Sequence, residues 1–348
     1  MLHTAASRFG PKPRNSGSAG SNVTTKPGKR VFFKTLKRAI PLLAEGSVLV
    51  GGQAVIEGVL MRLPNSYAVA VRDPKGEMRV KRERLPETAK GKLGNLPFIR
   101  GGVILFKAMM LGMSALNFSA KVSMEDEEDG EAGEEEKSSW ALTLTVIASL
   151  AIGVAVFFYV PLLAAQLLTK YFHLATNSLG FNLIDGVIRL VLFVGYIGGI
   201  SIMKDIRRVF SYHGAEHKVV HTYERKEPLT VESARKHSTL HPRCGTSFLL
   251  FVMVVAILVF SVVPSSYPFW VKAASRIVFL PVIAGLAYEL IRFTARFPKS
   301  PFVKPLLWPG LALQKLTTRQ PDDSMLAVSL RALEEAEAAL EEDTAVVA

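Results

Sequence analysis

The chain has 348 residues, 49% of them hydrophobic, and carries 42 basic against 30 acidic residues for a net charge of +12. That length and apolar content provide for a membrane domain with small polar parts beside it, and a single cysteine excludes an intrachain disulfide framework. Nine of the 30 acids fall in 125–136 and eight in 322–343, so the remainder is far more basic than the total implies. A surface of that kind suits anionic lipid headgroups. Nucleic acid ranks well below, because the interleaved aromatic residues that stack on bases are missing.

Residues 1–45 hold no acid before Glu45 and lack a continuous apolar core, so they read as a basic disordered tail rather than a secretory signal peptide. An organelle-import leader is the alternative for that composition, and 31–40 suits a short amphipathic helix on a membrane surface. Residues 46–96 change character and read as a small β-containing region. Tyr67–Val71 and Met78–Val80 form a predicted hairpin around Asp73-Pro-Lys-Gly76. Gln53 and Glu57 bracket an apolar run, either as edge-strand positions or as residues lining a site. The nearby Gly51, Gly52 and Gly58 match no nucleotide-binding spacing.

Residues 97–121 are apolar but interrupted by Arg100, Gly101-Gly102 and Lys107, which predicts an interfacial or re-entrant helix, followed by an acidic linker over 122–139. Four stretches, roughly 140–163, 183–203, 247–264 and 275–293, meet the length test for spans, placing two transmembrane helices in 140–203 and two in 247–293. The intervening 204–246 holds nine basic residues, whereas 169–182 holds only Lys170. The positive-inside rule then puts that insert in the cytosol. With an even number of spans both termini join it, in a multi-pass plasma-membrane protein. Asp185 and Arg189, one turn apart, pair within the second span, with Arg276 able to join them. An interfacial segment over 294–320 and an acidic tail over 321–348, amphipathic through Leu326, Leu330, Leu333 and Leu340, complete the chain. The expected fold is an α-helical integral membrane protein: four transmembrane helices, interfacial helices, a small N-terminal β element and a histidine-rich cytosolic insert.

That insert carries the chemistry. Five of the seven histidines, His213, His217, His221, His237 and His241, lie within it, and the only cysteine, Cys244, follows. At about 100° per residue, His213, Glu216, His217 and His221 share one helix face. His213-Gly-Ala-Glu216-His217 reads as H-x-x-E-H, in which two imidazoles hold a divalent metal, zinc by donor type, and the carboxylate serves as general base. His237-x-x-x-His241-Pro242-Arg243-Cys244 repeats the one-turn spacing at the end of a short predicted helix. His221, His241, Cys244 or the distant Glu289, near the cytosolic end of the fourth span, would complete the shell, with His237 lining it. A bland reading stands beside this one: interfacial histidines contacting headgroups, Cys244 as a small buried residue, and Glu289 paired with Arg292.

Gly51-Gly-Gln-Ala-Val-Ile-Glu-Gly-Val-Leu-Met-Arg62, taken with Tyr212-His-Gly-Ala-Glu-His-Lys218 and His241-Pro-Arg-Cys-Gly-Thr246, resembles the YqhQ-like family of bacterial membrane proteins, labelled predicted metal-dependent enzymes. The resemblance spans about residues 46–318. It implies a metal role for His213, Glu216, His217, His241 and Cys244, and a structural or site-lining role for Gln53 and Glu57. Two functions follow as expectations. One is a metal-dependent hydrolase acting at the inner membrane face on a lipid, a peptide or a membrane-protein segment. The other is a non-catalytic membrane-biogenesis or translocation-associated factor, binding a membrane-protein partner and carrying a structural metal clip.

Overall fold

The computed structural model describes residues 50–85, 99–124, 144, 148–149, 151–173, 177–297, 300–301 and 303–344. The expected basic tail, the bulk of the acidic linker and the start of the first predicted span lie outside them.

Four strands, β1 (Gly51–Val55), β2 (Gly58–Arg62), β3 (Ser66–Arg72) and β4 (Met78–Arg84), form an antiparallel meander in sequence order. The hairpin expected from the Pro-Gly turn is the β3–β4 pair. Its turn is closed by Gly76 N–H donating to the Asp73 carbonyl at 2.9 Å, with Gly76 at φ +90°, a conformation that suits glycine. Side chains alternate across the two central strands. Val59, Met61, Ala68 and Ala70 face one way, and Leu60, Tyr67, Val69 and Val71 the other.

Both faces are covered, so the sheet is the middle of three layers. On one side lies α1 (Ile99–Met124), whose Ala115 and Val122 seal the core around Val69. On the other lie α4 (Lys204–Glu224) and α10 (Asp323–Thr344), through Tyr212, Ala215 and Val219 of α4 and Leu326, Leu330 and Leu333 of α10. The acid-rich C-terminal segment is therefore part of the core rather than a tail. Its leucines repeat at helical spacing and pack under the sheet, while Glu335, largely buried, pairs with Arg82 of β4 at 3.0 Å.

The apolar half comprises a π-helical turn (Ala155–Tyr159) leading into α2 (Val160–Phe172), then α3 (Ser178–Ile200), α6 (Gly245–Phe260), α7 (Phe269–Val278) and α8 (Leu280–Arg296). Three stretches, Gly102–Met124, Ala151–Phe172 and Ser178–Ile200, are helices long and apolar enough to cross a membrane. The count reaches four if α7 and α8, bent by 48°, make one broken span. This differs from the expected set in three places. The segment expected as an interfacial or re-entrant helix over 97–121 is, from Ile99, one unbroken helix to Met124, because Gly101-Gly102 is tolerated in its first turns. The third expected span is a helix of only 16 residues, about 24 Å long and shorter than a hydrocarbon core. The fourth breaks at Phe279, just before Pro281 in the first turn of α8.

Asp185, Arg189 and Arg276 do come together: Arg189 Nη2 and Arg276 Nη2 each donate to Asp185 Oδ2 at 3.0 Å, and Arg276 also donates to Asn182 Oδ1 at 2.9 Å. One carboxylate thereby ties α3 to α7 in the apolar interior. The segment after α8 forms α9 (Lys304–Thr317), which buries Leu307, Leu313, Gln314 and Thr317 and packs on α6.

Candidate metal centre

Glu57 holds α4 to the sheet. It sits at φ 53° in the β1–β2 turn. Its carboxylate receives two hydrogen bonds from Arg208, one from Nη2 at 2.6 Å and one from Nε, and a third from the Tyr212 hydroxyl at 3.4 Å. Glu57 therefore acts as an anchor one turn ahead of His213. Gln53, exposed on β1, lies against Gly112 of α1, where a Cβ would come within 2.3 Å of its Oε1. Neither residue enters a metal-binding cluster.

His213, Glu216, His217 and His221 project from α4 as the periodicity predicts. Opposite them runs an irregular, turn-rich segment, because the short helix expected to reach the histidines ends at Arg235. The helix α5 spans only Val231–Arg235, and Lys218, buried on α4, captures the carbonyls of Arg235 and His237 at 2.9 and 2.6 Å. With those carbonyls held from below, residues 236–244 fold back over α4 and carry His241 and Cys244 to its histidines.

Two triplets of donor atoms result, each with all three atoms within 4.8 Å of one another: His213, His217 and Cys244, and His221, Glu224 and His241. In the first, His213 Nδ1 lies 2.8 Å from the Thr317 carbonyl and His217 Nδ1 is bound to the Thr239 carbonyl. Carbonyls only accept, so both Nδ1 atoms carry the proton and both Nε2 lone pairs turn inward. His213 Nε2 then lies 3.2 Å from Cys244 Sγ, and His217 Nε2 is buried with no hydrogen-bond partner.

A buried ring nitrogen with a free lone pair, facing a thiol and a second imidazole, fits a zinc-type ion by position and donor softness. Glu216 Oε2 is 3.7 Å from that nitrogen yet outside the triplet. Its carboxyl is held above the usual range first by burial, against the pull of His213 and His241 and a hydrogen bond from the Gly52 backbone N–H. Burial likewise pushes His217 and His241 down, which keeps both imidazoles neutral and able to coordinate.

His237 and Glu289 stand elsewhere. His237 Nε2 pairs with Glu227 Oε2 at 2.9 Å, although its ring lies 6.0 Å from that of His221, tilted by 41° to it. Glu289 is half-buried on α8, which packs on α1 and α6, and belongs to neither triplet. Four residues of the site escaped the sequence reading. Glu224 had a signal, since His221-x-x-Glu224 repeats the spacing of His213-x-x-Glu216. Gln314 had a weaker one as an amide inside an apolar helix; it clamps His241 by accepting from its N–H and donating to its carbonyl, both at 2.8 Å. The Thr239 and Thr317 carbonyls had none.

The site and the apolar helices define a class: an apolar helical protein with a His/Cys/Glu cluster on a sheet-backed helix. The chain belongs to the DUF1385 family, described as a protein of unknown function, whose family model matches residues 96–339. It is 36% identical over 295 residues to the uncharacterized protein YqhQ of Bacillus subtilis (strain 168), covering 82% of this chain and 91% of that one. No solved structure matches it.

Proposed function

We propose that this protein is a metal-dependent hydrolase working at the inner face of the plasma membrane, with α2, α3, α6 and the bent α7–α8 pair as its four crossings, α1 lying against the sheet instead, and both termini and the metal site in the cytosol. The observation that carries the reading is the unpartnered, buried His217 Nε2 with Glu216 beside it. His213, His217 and Cys244 would hold the ion, zinc by donor set. Among the described residues no fourth His, Cys, Asp or Glu joins them, which leaves room for water and substrate. When bound, the ion supplies Lewis-acid polarisation and makes water a stronger acid.

Glu216, next to that position but outside the shell, takes the proton from water and returns it to the leaving group. Its buried setting raises its proton affinity toward the range a general base needs. The apolar helices point to a substrate presented from the bilayer: a lipid, or a peptide segment of a membrane protein.

The alternative, a structural clip in an accessory protein, draws on one observation. His217 and Cys244 are only 2% and 8% exposed, a burial typical of closed sites. Metal analysis of the full chain in detergent, combined with hydrolysis of a small activated ester, separates the readings. Wild type should carry zinc and turn over the ester, Glu216→Gln should carry zinc without turnover, and His217→Ala should lose both. Zinc without ester or membrane-peptide hydrolysis in wild type would favour the clip, and a protein that takes up no zinc would remove both.

A further inference from the structure

We infer that the chain holds a second metal site, formed by His221, Glu224 and His241, next to the first and of harder donor character. The inference rests on the metal-centre reading above and deepens it, from a one-ion to a two-ion centre.

In the second triplet His221 and Glu224 each have their other polar atom occupied, as the donors of the first do, whereas His241 Nδ1 accepts from the Arg243 backbone N–H at 3.3 Å. His221 Nε2 lies 2.9 Å from the Leu240 carbonyl, so that nitrogen carries the proton and Nδ1 is left with the lone pair. Glu224 Oε1 is engaged by Arg243, which fixes the carboxylate and leaves Oε2 toward His241 Nε2 at 3.5 Å. In the metal-free protein that nitrogen carries the proton, so a cation is held by His241 in its other tautomer, at the cost of the long 3.3 Å contact from Arg243 N–H to Nδ1. His241 is 5% exposed and gripped on both sides of its backbone by Gln314, so its ring is held by the fold rather than by Glu224.

Two imidazoles and one carboxylate are the donor set of zinc hydrolase sites and of open sites for iron or manganese. The thiol-containing first triplet instead selects for softer zinc. The two triplets adjoin, because the His217 and His241 rings lie 5.7 Å apart and those of His221 and His241 4.7 Å apart. A second cation beside the first supplies the arrangement that clamps both the attacking and the leaving group of a displacement, in hydrolysis of phosphate esters and of peptides alike.

The test is metal stoichiometry on the full chain in detergent, using cobalt(II) as the probe, with the sulfur-to-cobalt absorption band reporting the first site. Wild type should bind about two ions per chain. The sulfur band should saturate at the first equivalent while the ligand-field bands continue to grow through the second. Glu224→Ala should fall to about one ion with the sulfur band intact, and Cys244→Ser should lose the sulfur band while the second site still fills. Because Glu224→Ala also frees Arg243, Glu224→Gln serves as a second variant that keeps the side-chain shape; it too should bind about one ion. A wild type that stops at one equivalent, with both Glu224 variants unchanged from it, overturns the second site and leaves the first standing. No cobalt uptake at all overturns both.

Discussion

Glu216 and the histidines around it have separable jobs. Glu216→Gln keeps the shape and loses the proton-accepting charge, so turnover should fall by about 100-fold or more with metal content unchanged; retained turnover would remove the base from the mechanism. Gly52 enforces the position of that carboxylate, since a Cβ there would meet Glu216 Cγ at 2.6 Å and the Leu60 carbonyl at 2.7 Å. Gly52→Ala should therefore lower activity more than metal content, measured in the same preparation. The imidazoles also set a pH response in the metal-free protein. Burial pushes His221 from 6.5 down to about 4, and His217 and His241 shift in the same direction. The unfolded chain then takes up protons first, so stability is fully present above about pH 6.5 and is lost as pH falls toward about 4. The urea midpoint should drop across that window, and His221→Phe should flatten the drop; an unchanged slope would show that the ring is not desolvated.

At the level of elements, the sequence disclosed those parts whose signal is local. The helix bearing His213, Glu216, His217 and His221 was legible because it needs only a periodicity of 3.6, and the β3–β4 hairpin because Asp73 and Gly76 write their own turn. The four-stranded meander, the fold-back of 236–244 and the role of α9 were not, because each is decided by partners far away in sequence. Lys218 draws in the Arg235 and His237 carbonyls, Gln314 grips His241, and Thr317 aligns His213. The C-terminal helix misled through its acids, since its leucines fill the core under the sheet while Asp323 and Glu334 stay exposed. Truncation after Asp322 should accordingly abolish a cooperative melt and metal binding, where removal of a mere tail would leave both intact. Gly214 makes the same point for α4, since a Cβ there would lie 2.0 Å from the Arg319 carbonyl. Gly214→Ala should cost about 1–3 kcal/mol in urea unfolding, and a neutral result would mean that the 318–322 strap yields freely.

Across the whole molecule, apolar helices and a sheet-backed polar layer divide the chain into a part suited to the bilayer and a part suited to water. Nine basic residues over 204–243 assign that polar layer to the cytosol in the proposed topology. Single cysteines placed at exposed positions 225–236 in a Cys244→Ser background should react with a membrane-impermeant reagent only after cells are opened. Labelling from outside intact cells would reverse the orientation and with it the side on which any substrate is met. The central claim, an open metal position rather than a closed clip, is tested most directly by X-ray absorption at the zinc edge on the full chain loaded with one equivalent. The account predicts one sulfur at about 2.3 Å, two imidazole nitrogens at about 2.0–2.1 Å and one further light atom that exchanges for added azide or acetohydroxamate. A shell of four protein ligands that ignores both would contradict it.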